Sequence, residues 1–442
     1  MKLYFNYINV LAVCLLIGFT SCTFDELADP NGPSVNGVEQ GASIGQLNEL
    51  LIGVESTLRL GHGTEILTTG VMAREFYLFN ADPRNTGDLL GKDGIGLDNN
   101  TFYSTTQWNG NYRCIKNAQL LISAVQNTET VTDQERNGYL GFAKTAQAYE
   151  YIQLLKSYGK ARLDVTDPEN LGPILDFDPA LAAVRTLIDE ANQDLANAGT
   201  NFLFTLSSGF AGFDDVASFR KFNRALAAIT AVYDGDGVAA LTALDESFLD
   251  LNGALDMGPK HVFGASGNDL LNGVFRVPST VETPNNGDQV IVHNSFIADA
   301  EAGDLRVIAK TVLRPDPTNQ DGLNGTHESI LYDSQLSPID IVSNEELILI
   351  YAEASILANE LEDAEDALNI IRDEAGGLDD YAGATTAAAL TSELLKQRRY
   401  SLFSENHRMF DLRRYNLSSL LSIDRTGDQI YNVLPIPAAE NE

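Results

Sequence analysis

The sequence predicts a mostly α-helical protein, a tetratricopeptide-like scaffold of helix pairs with long loops and a few short strands. Two segments of the same design predict it, since residues 225–249 and residues 352–374 each contain an Ala-rich helix, a short acidic turn and a second Ala-rich helix. Ala227 and Ala240 are 13 positions apart in the first segment, and the second repeats this spacing. Small residues placed in this way let two antiparallel helices pack closely. The two units are not contiguous, so we expect a decorated helical scaffold and not a regular solenoid.

Composition and charge are typical of a globular protein and argue against several kinds of partner. Of the 442 residues, 44% are hydrophobic and 21% are charged, as in a folded chain with its own core. The 62 acidic residues exceed the 29 basic ones and give a net charge of −33. Because phosphate repels so acidic a chain, we expect neither nucleic-acid binding nor electrostatic adhesion to anionic lipid. With three Cys, a disulfide scaffold or a Cys-rich zinc site is not expected either.

The first 21 residues have the pattern of an export signal. Lys2 supplies a positive start, residues 8–19 form an apolar core too short to span a bilayer permanently, and small residues precede Cys22. This arrangement resembles a bacterial lipoprotein signal, in which the Cys after the cleavage site becomes the lipidated first residue. We therefore expect residues 1–21 to be removed, Cys22 to carry the lipid, and residues 22–42 to form an extended tether. The alternative is an ordinary secretory signal cleaved near Cys22.

The rest of the chain, residues 43–442, shows no composition break and is expected to form a single domain. Ser43 begins the first helix with a capping box, because Gln46 follows three positions later and an apolar stripe starts at Leu47. The helical spacing of apolar residues returns over residues 115–125, 143–158 and 181–198. Loop-rich insertions are expected at about residues 72–106, 159–180 and 258–343, and the last of these should contain short strands.

The C-terminal part of the chain carries an ordered set of motifs. Residues 394–415 read LLKQRRYSLFSENHRMFDLRRY, and they are followed by an LPIP segment at residues 434–437 and by Glu440. The Arg-rich helix, the acidic residue, the FDLRR run and the LPIP segment, in this order, resemble the signature of the SusD/RagB family of outer-membrane nutrient-binding lipoproteins. The N-terminal signal, the tether, the second helix pair and the segment 108–121 also resemble that family. Residues 159–343 match it poorly, and the family itself varies there.

This resemblance implies a SusD-like fold and a noncatalytic role. It implies a lipid-anchored protein of the cell outer membrane, facing outside, that binds an oligomeric nutrient and delivers it to a SusC-like TonB-dependent transporter. The family favours a glycan as the ligand, and a peptide is the alternative. A secreted hydrolase and a purely structural helical adaptor are the two other classes that the residues leave open. No cofactor is expected.

The candidate ligand-binding residues lie in the loop-rich region 72–106. The chain has one Trp, Trp108, whose place in a helical stripe predicts a core or groove-wall position, so a glycan would have to stack on Tyr or Phe. The aromatic candidates are Phe76, Tyr77, Phe79, Phe102 and Tyr103. The polar side chains near them, which are suited to bind hydroxyls, carboxylates or peptide groups, are Arg74, Arg84, Asn85 and Asn100. From both groups we select Arg74, Tyr77, Arg84, Asn85 and Tyr103; the alternative is that half of the aromatic residues only pack the loop.

Charged residues of alternating sign occupy the C-terminal motif. They are Arg399, Glu405, Arg408, Asp411 and Arg414. Alternating signs at helical spacing usually neutralise each other, so we expect a partly buried ion-pair network that fixes the C-terminal helices. A catalytic or anion-binding site at these residues is the less favoured alternative.

No catalytic or metal-binding pattern stands out. Residues 41–45 match G-x-S-x-G, but they follow a polar tether instead of a buried strand, so Ser43 is better placed as a helix N-cap than as a nucleophile. The five His are scattered without the paired spacing of a zinc site. Calcium is a minor alternative at the loop carboxylates of residues 316–322 and of Asp234 and Asp236, where solvated turns are favoured.

Overall fold

The computed structural model describes residues 41–167, 169–267, 269–279 and 287–441. The signal segment, Cys22 and most of the tether lie outside the described residues, so the lipid anchor stays a prediction. Within the described part of the chain, no helix combines the length and the apolar character that crossing a membrane would need.

Helices dominate the described chain, which confirms the mostly α-helical class. The capping box predicted at Ser43 with Gln46 is confirmed, and the structure shows another at Thr132 with Glu135. The helices are α1 (Ile44–Thr57), α2 (His62–Met72), α3 (Phe102–Gln126), α4 (Asp133–Tyr158), α5 (Phe177–Ala196), α6 (Val216–Tyr233), α7 (Gly237–Asp245), α8 (Asn294–Ala298), α9 (Leu305–Lys310), α10 (Asn344–Ala358), α11 (Leu361–Ile370), α12 (Ala387–Ser401) and α13 (Arg408–Arg414).

Successive helices stack in pairs, as in a tetratricopeptide scaffold. The contacts run from α1 to α3, α4, α5, α6 and α7, and then across to α10, which also packs on α11 and α12. The pairs α6–α7 and α10–α11 are the two Ala-rich segments, so the predicted helix pairs are confirmed. Ala240 and Ala354 are fully buried. A Cβ on Gly237 would lie 2.6 Å from the Ala354 carbonyl oxygen, so a side chain there would separate α7 from α10.

The strands form small antiparallel sheets within the loop-rich insertions. One sheet has the order β1–β5–β7–β6, and β2–β3 and β4–β8 form two further pairs. The longest hairpin, β6–β7, turns at Asp321 and Gly322, which both have positive φ. The strands are β1 (Phe76–Phe79), β2 (Lys160–Arg162), β3 (Ile174–Asp176), β4 (Lys260–His261), β5 (Gln289–Val292), β6 (Thr311–Gln320), β7 (Leu323–Ser329) and β8 (Ile339–Asp340).

Residues 72–106, predicted as a loop-rich insertion instead of a core element, do contain core structure, and that part of the prediction is wrong. All four residues of β1 are buried, and α3 already begins at Phe102. β1 pairs with β5 in the register Phe76↔Val292. The Gly- and Asn-rich residues after β1 dominate the local pattern, and its partner strand lies far along the chain, so the local sequence does not reveal the pairing.

Trp108 belongs to the core and not to a groove wall. Its ring is fully buried and lies 4.8 Å from the ring of Tyr112 and 4.9 Å from that of Tyr158, centroid to centroid. These three rings join α3 to α4 inside the main hydrophobic core. A second cluster, which includes Ile348 and Leu394, packs α10, α11 and α12 together. The C-terminal helices therefore have apolar contacts of their own.

Candidate functional site

Arg74 and Tyr77, two of the predicted ligand contacts, lie in a buried polar cluster. Arg74 is 1% exposed and donates from Nη1 to the Met72 carbonyl (2.9 Å) and from Nη2 to the Gln429 carbonyl (3.1 Å). The Tyr77 ring is 4% exposed and lies 5.3 Å from the ring of His293. Neither side chain presents a face to solvent, so the expectation that Tyr77 offers a stacking surface is wrong.

Asp424 is the charged centre of this buried cluster. Burial alone would raise the pKa of its carboxyl, but hydrogen bonds with His293 and Ser422 outweigh burial and lower the pKa. The Arg74 Nε lies 3.6 Å from an Asp424 carboxylate oxygen and adds to the same effect. Burial is also the main reason that the pKa of Tyr77 is raised. The cluster thus holds the C-terminal segment near Asp424 against β1.

Asn85 and Tyr103 support the loop between β1 and α3 from inside. The Asn85 amide donates to Asn80 Oδ1 (2.9 Å), and its side chain is buried. The Tyr103 hydroxyl donates to Asp88 Oδ2 (2.9 Å) and accepts from the Asp98 backbone N–H (2.7 Å). Tyr103 has no exposed surface, so it also cannot stack on a ligand in this conformation.

Arg84 is the one predicted contact that reaches solvent, with 45% of its side chain exposed. Its Nη2 donates to Asp82 Oδ2 (2.6 Å), and this hydrogen bond is the main reason that the pKa of Arg84 is raised. Its Nη1 donates to Thr101 Oγ1 (2.6 Å). The guanidinium carbon lies 4.8 Å from the centre of the Phe102 ring, a cation–π contact that holds both side chains in place.

These contacts place a mixed polar and aromatic surface around Asp88. We call it the Asp88 rim and define it as Arg84, Asp88, Asn100, Phe102 and Tyr431. Arg84 and Asn100 are exposed, and the other three are half-buried. The negative charge of Asp88 acts on both Arg84 and Tyr431, although burial is the larger cause of the raised Tyr431 pKa. Asp88 Oδ1 and the Asn100 amide group have no hydrogen-bond partner among the described residues.

The rim contains two residues that the sequence did not single out. Asp88 lies in the predicted loop, but nothing in its local pattern separates it from the other Asp and Asn residues there. Tyr431 comes from the far end of the chain, where its hydroxyl donates to the Ile95 carbonyl. Folding alone brings these two residues together, so sequence spacing gives no signal for the pair.

The C-terminal motif forms a continuous set of buried ion pairs, which we call the signature network. Arg398 Nε donates to Asp411 Oδ2 (2.6 Å), and Arg414 Nη2 donates to Asp411 Oδ1 (2.9 Å). Arg414 Nη1 also donates to Glu353 Oε1 on α10 (2.7 Å). Burial would raise the pKa of Asp411, but the charges of Arg398 and Arg414 outweigh it and lower the pKa. The network therefore links α10, α12 and α13.

The other three charged residues of the motif lie outside this network. Arg399 Nη1 donates to Asp299 Oδ2 (2.8 Å). Arg408 Nε donates to the Ala73 carbonyl (3.2 Å). In the described chain, neither Arg408 nor Glu405 has an oppositely charged group within 4.0 Å. Among the five residues that the sequence singles out, Asp411, Arg414 and Arg399 form ion pairs. The buried partner on α12 is Arg398, which the sequence pattern does not distinguish from its neighbours.

A small polar cavity lies beside the signature network. It has a volume of about 30 Å³, and its lining includes Lys156, Glu346, Glu405 and His407. Burial raises the pKa of Glu346 and of Glu405 and lowers the pKa of Lys156 and of His407. The volume is that of a water site and far below that of a substrate pocket.

Three of the four loop carboxylates considered for calcium take part in ion pairs. Asp234 and Asp236 both pair with Arg185. Asp321, at the tip of the β6–β7 hairpin, pairs with Lys92 and Arg425. Within the ranges that the structure describes, no group of three or more His, Cys, Asp or Glu residues is arranged to hold a metal ion.

Comparison with known proteins supports the SusD/RagB resemblance. Residues 346–440 match the model of the SusD family. This segment includes Glu353, Arg398, Asp411 and Arg414, so the signature network lies within the matched part of the chain. No curated protein matches the chain.

Solved structures with a similar fold cover nearly the whole chain. A SusD superfamily protein from Bacteroides vulgatus is 16% identical with a TM-score of 0.65, over 90% of this chain and 96% of that chain. Surface glycan-binding protein A from Bacteroides uniformis is 16% identical with a TM-score of 0.68, over 90% and 97%. The protein of the same name from Bacteroides thetaiotaomicron, in complex with laminarihexaose, is 15% identical with a TM-score of 0.69, again over 90% and 97%. At these identities the likeness concerns the fold.

Proposed function

We propose that this chain, which carries the SusD family match in its C-terminal part and a SusD-like fold throughout, binds a glycan at the cell surface. The Asp88 rim is the observation that carries the proposal, because it combines exposed hydrogen-bonding groups with partly exposed aromatic rings. Two of the structural neighbours are named as surface glycan-binding proteins, and one of them holds laminarihexaose. The protein acts without catalysis and releases the ligand unchanged.

The chemistry of the rim suits the hydroxyls and the apolar faces of sugar rings. Arg84 donates, Asp88 Oδ1 accepts, and the Asn100 amide does both. Phe102 and Tyr431 supply ring surface for the C–H face of a sugar. Arg84 and Asp88 are held by Asp82 and Tyr103 respectively, so a ligand orders few additional side chains when it binds.

The cellular role rests on the sequence. A lipid at Cys22 would anchor the protein to the outer membrane, facing outside, and the bound glycan would pass to a SusC-like TonB-dependent transporter. The helix pairs would supply the surface that meets this transporter. The strongly negative chain favours a lipid anchor over adhesion through basic patches.

A peptide remains the second ligand class, and Arg84 beside an aromatic ring is the feature that favours it. A hydrolase has less support. The Ser43 hydroxyl accepts from the Gln46 backbone N–H as the N-cap of α1. This hydroxyl therefore belongs to the capping box and is not placed as a nucleophile.

The test is calorimetric titration of the full chain, in detergent, with laminarihexaose, other neutral oligosaccharides and mixed peptides. Tyr431→Ala and Asp88→Asn should each weaken glycan binding about tenfold or more, the effect expected when a contact worth 1.4 kcal/mol or more is lost. Tyr381→Ala is the matched control, since Tyr381 is also half-buried but packs in the second hydrophobic cluster. Glycan binding that survives both rim variants would contradict the assignment, and binding of peptides alone would move the proposal to the second ligand class.

A further inference from the structure

A second surface of the molecule is built like a ligand site. A cleft of about 790 Å³ lies between α12 and the segment that runs from α13 to Leu420. We call it the α12–α13 cleft. Thr391, Leu395 and Arg399 line it from one face of α12, since they recur every four positions. The volume is within the range of cavities that enclose small organic ligands.

The charge of this cleft is opposite to that of the whole chain. The chain has a net charge of −33, yet more cations than carboxylates line the cleft. The lining cations are Lys396, Arg398, Arg399 and Arg408, and the lining carboxylates are Asp299 and Asp411. Asp411 forms an ion pair with Arg398 (2.6 Å), and Asp299 forms one with Arg399 (2.8 Å). Lys396 pairs with Glu301, which does not line the cleft. Of the four lining cations, Arg408 is therefore the one without an ion pair among the described residues.

Arg408 has no ion-pair partner within 4.0 Å in the described chain, although the charge of the buried Glu75 acts on it from outside the cleft. Its Nε is held by the Ala73 carbonyl, while its two terminal nitrogens have no hydrogen-bond partner among the described residues. Burial and the nearby charge of Arg399 outweigh the opposing charge of Glu75 and lower the pKa of Arg408 to about 10, so the guanidinium stays charged at neutral pH. The terminal nitrogens of a planar guanidinium match the two oxygens of a carboxylate. A carboxylate between Arg408 and Arg399 would give the Arg408 terminal nitrogens the acceptors that the described residues do not supply.

We infer that the α12–α13 cleft binds the carboxylate of an acidic saccharide, with Arg408 as the main donor and Arg399 beside it. The rest of the cleft suits a sugar acid. Thr391 and Ser392 line it nearer the N-terminus of α12, and Leu395 supplies an aliphatic surface for ring C–H groups. The alternating charges of the C-terminal motif made an anion site the less favoured alternative to an ion-pair network. The proposed site is separate from the Asp88 rim.

The site goes beyond the proposed function because it adds a different ligand chemistry at a different place. The rim offers donors, acceptors and aromatic rings for neutral glycans. The cleft offers the unpartnered terminal nitrogens of Arg408 and aliphatic walls. With both surfaces, the protein would bind acidic oligosaccharides at the cleft, and neutral glycans bound at the rim would not displace them.

The test uses one ligand with and without its charge. Trigalacturonate and its fully methyl-esterified form have nearly the same size, and only the first carries carboxylates. The full chain in detergent should bind trigalacturonate, as measured by calorimetric titration, and bind the ester at least about tenfold more weakly. Equal binding of the ester, or displacement of trigalacturonate by an equal concentration of inorganic sulfate, would overturn the inference.

Two variants of α13 localise the site. Arg408→Gln should weaken trigalacturonate binding about tenfold or more, and Arg408→Lys should restore part of it. Arg413→Gln is the matched control, because Arg413 is on the same helix, does not line the cleft and donates to the carbonyls of Leu155 and Asn432. Unchanged binding by Arg408→Gln would place the acid elsewhere and overturn the inference.

A third variant covers the case in which Arg408→Gln fails to fold. Leu420 is 72% exposed at the cleft, so Leu420→Glu adds a negative charge there without disturbing the core. It should weaken trigalacturonate binding severalfold. Tyr431→Ala, at the rim, should leave trigalacturonate binding unchanged while it weakens neutral-glycan binding, so failure of one site is distinguishable from failure of the other. If Tyr431→Ala also abolished trigalacturonate binding, the two sites would be one, and the inference would be wrong.

Discussion

The signature network and the neighbouring polar cavity differ in how they accommodate buried ionisable groups. Both take a Glu from α10, with Glu353 in the network and Glu346 in the cavity, seven positions or about two turns apart on one helix face. Glu353 meets Arg414 at 2.7 Å. Glu346 lies 3.7 Å from the ring nitrogen of His407, whose pKa burial lowers well below its ordinary value. One carboxylate therefore faces a permanent cation, and the other faces a neutral ring.

This difference decides which groups keep their charge. In the network, the arginines outweigh the cost of burial at Asp411 and lower its pKa. In the cavity, burial is the larger effect at Glu346, Lys156 and His407, and it favours the uncharged form of each. In these two regions, the charged form of a buried group is thus favoured only where a hydrogen-bonded partner of opposite charge is in direct contact. The comparison predicts that the network carries stability and that the cavity carries pH sensitivity.

Breaking the network at Arg398 should have the largest effect on stability. Arg398→Met leaves the buried Asp411 carboxylate with Arg414 alone, and we expect the free energy of unfolding to fall by about 3–5 kcal/mol. Urea denaturation measures it. Arg399→Met is the control one position along α12, where the partner Asp299 is 57% exposed, and it should cost about 1 kcal/mol or less. Equal losses for the two variants would contradict the comparison.

Replacing the two glutamates of α10 by the neutral amide should separate the two regions directly. Glu353→Gln removes the charge that holds Arg414, and we expect a loss of about 1.5–3 kcal/mol. Glu346→Gln replaces a side chain that burial already favours as neutral, so it should change stability by about 1 kcal/mol or less. The same denaturation experiment compares them at neutral pH. A larger loss for Glu346→Gln would show that the cavity carboxylate is charged.

The cavity should make stability depend on pH through His407. The pKa of His407 in the folded protein is depressed well below 6.5. The neutral ring therefore contributes to the free energy of unfolding above pH 6.5, and this contribution is lost as the pH falls below that value. The loss reaches at most about 1.4 kcal/mol per pH unit for one such site. His407→Gln should flatten the decline in unfolding free energy below pH 6.5 and leave the profile above it unchanged. An unaltered slope would show that His407 is not the responsible group.

An exposed counterpart of the network should contribute least. Arg185 pairs with Asp234 and Asp236 at the turn between α6 and α7, where both carboxylates are more than 40% exposed. Arg185→Ala should lower the unfolding free energy by about 1 kcal/mol or less, and added salt should reduce even that difference. Thermal unfolding at low and high salt measures it. A cost comparable with that of Arg398→Met would mean that burial is not what gives the network its strength.

The positions of the candidate site residues also depend partly on the local sequence and partly on residues that are distant along the chain. The sequence pointed to Arg84, which is exposed at the Asp88 rim, but it also pointed to Arg74, Tyr77 and Tyr103, which are buried. Aromatic residues beside Gly and Asn look alike whether they pack inward or face solvent. Their direction follows from the pairing of β1 with β5 and from Asp424, which no local pattern contains.

Local chemistry along the chain determined the helix pairs, the N-caps and the motif in which the signature network lies. Helical hydrogen bonds, capping boxes and small-residue spacing act within a few positions, so adjacent residues are sufficient to predict them. Only the tertiary structure decided that Phe76–Phe79 form a buried strand, that Tyr431 joins Asp88, and that Arg398 is paired while Arg408 is not. These outcomes depend on which distant group meets each side chain as water is excluded. Burial and pairing, and not residue type, set the cost of a charge.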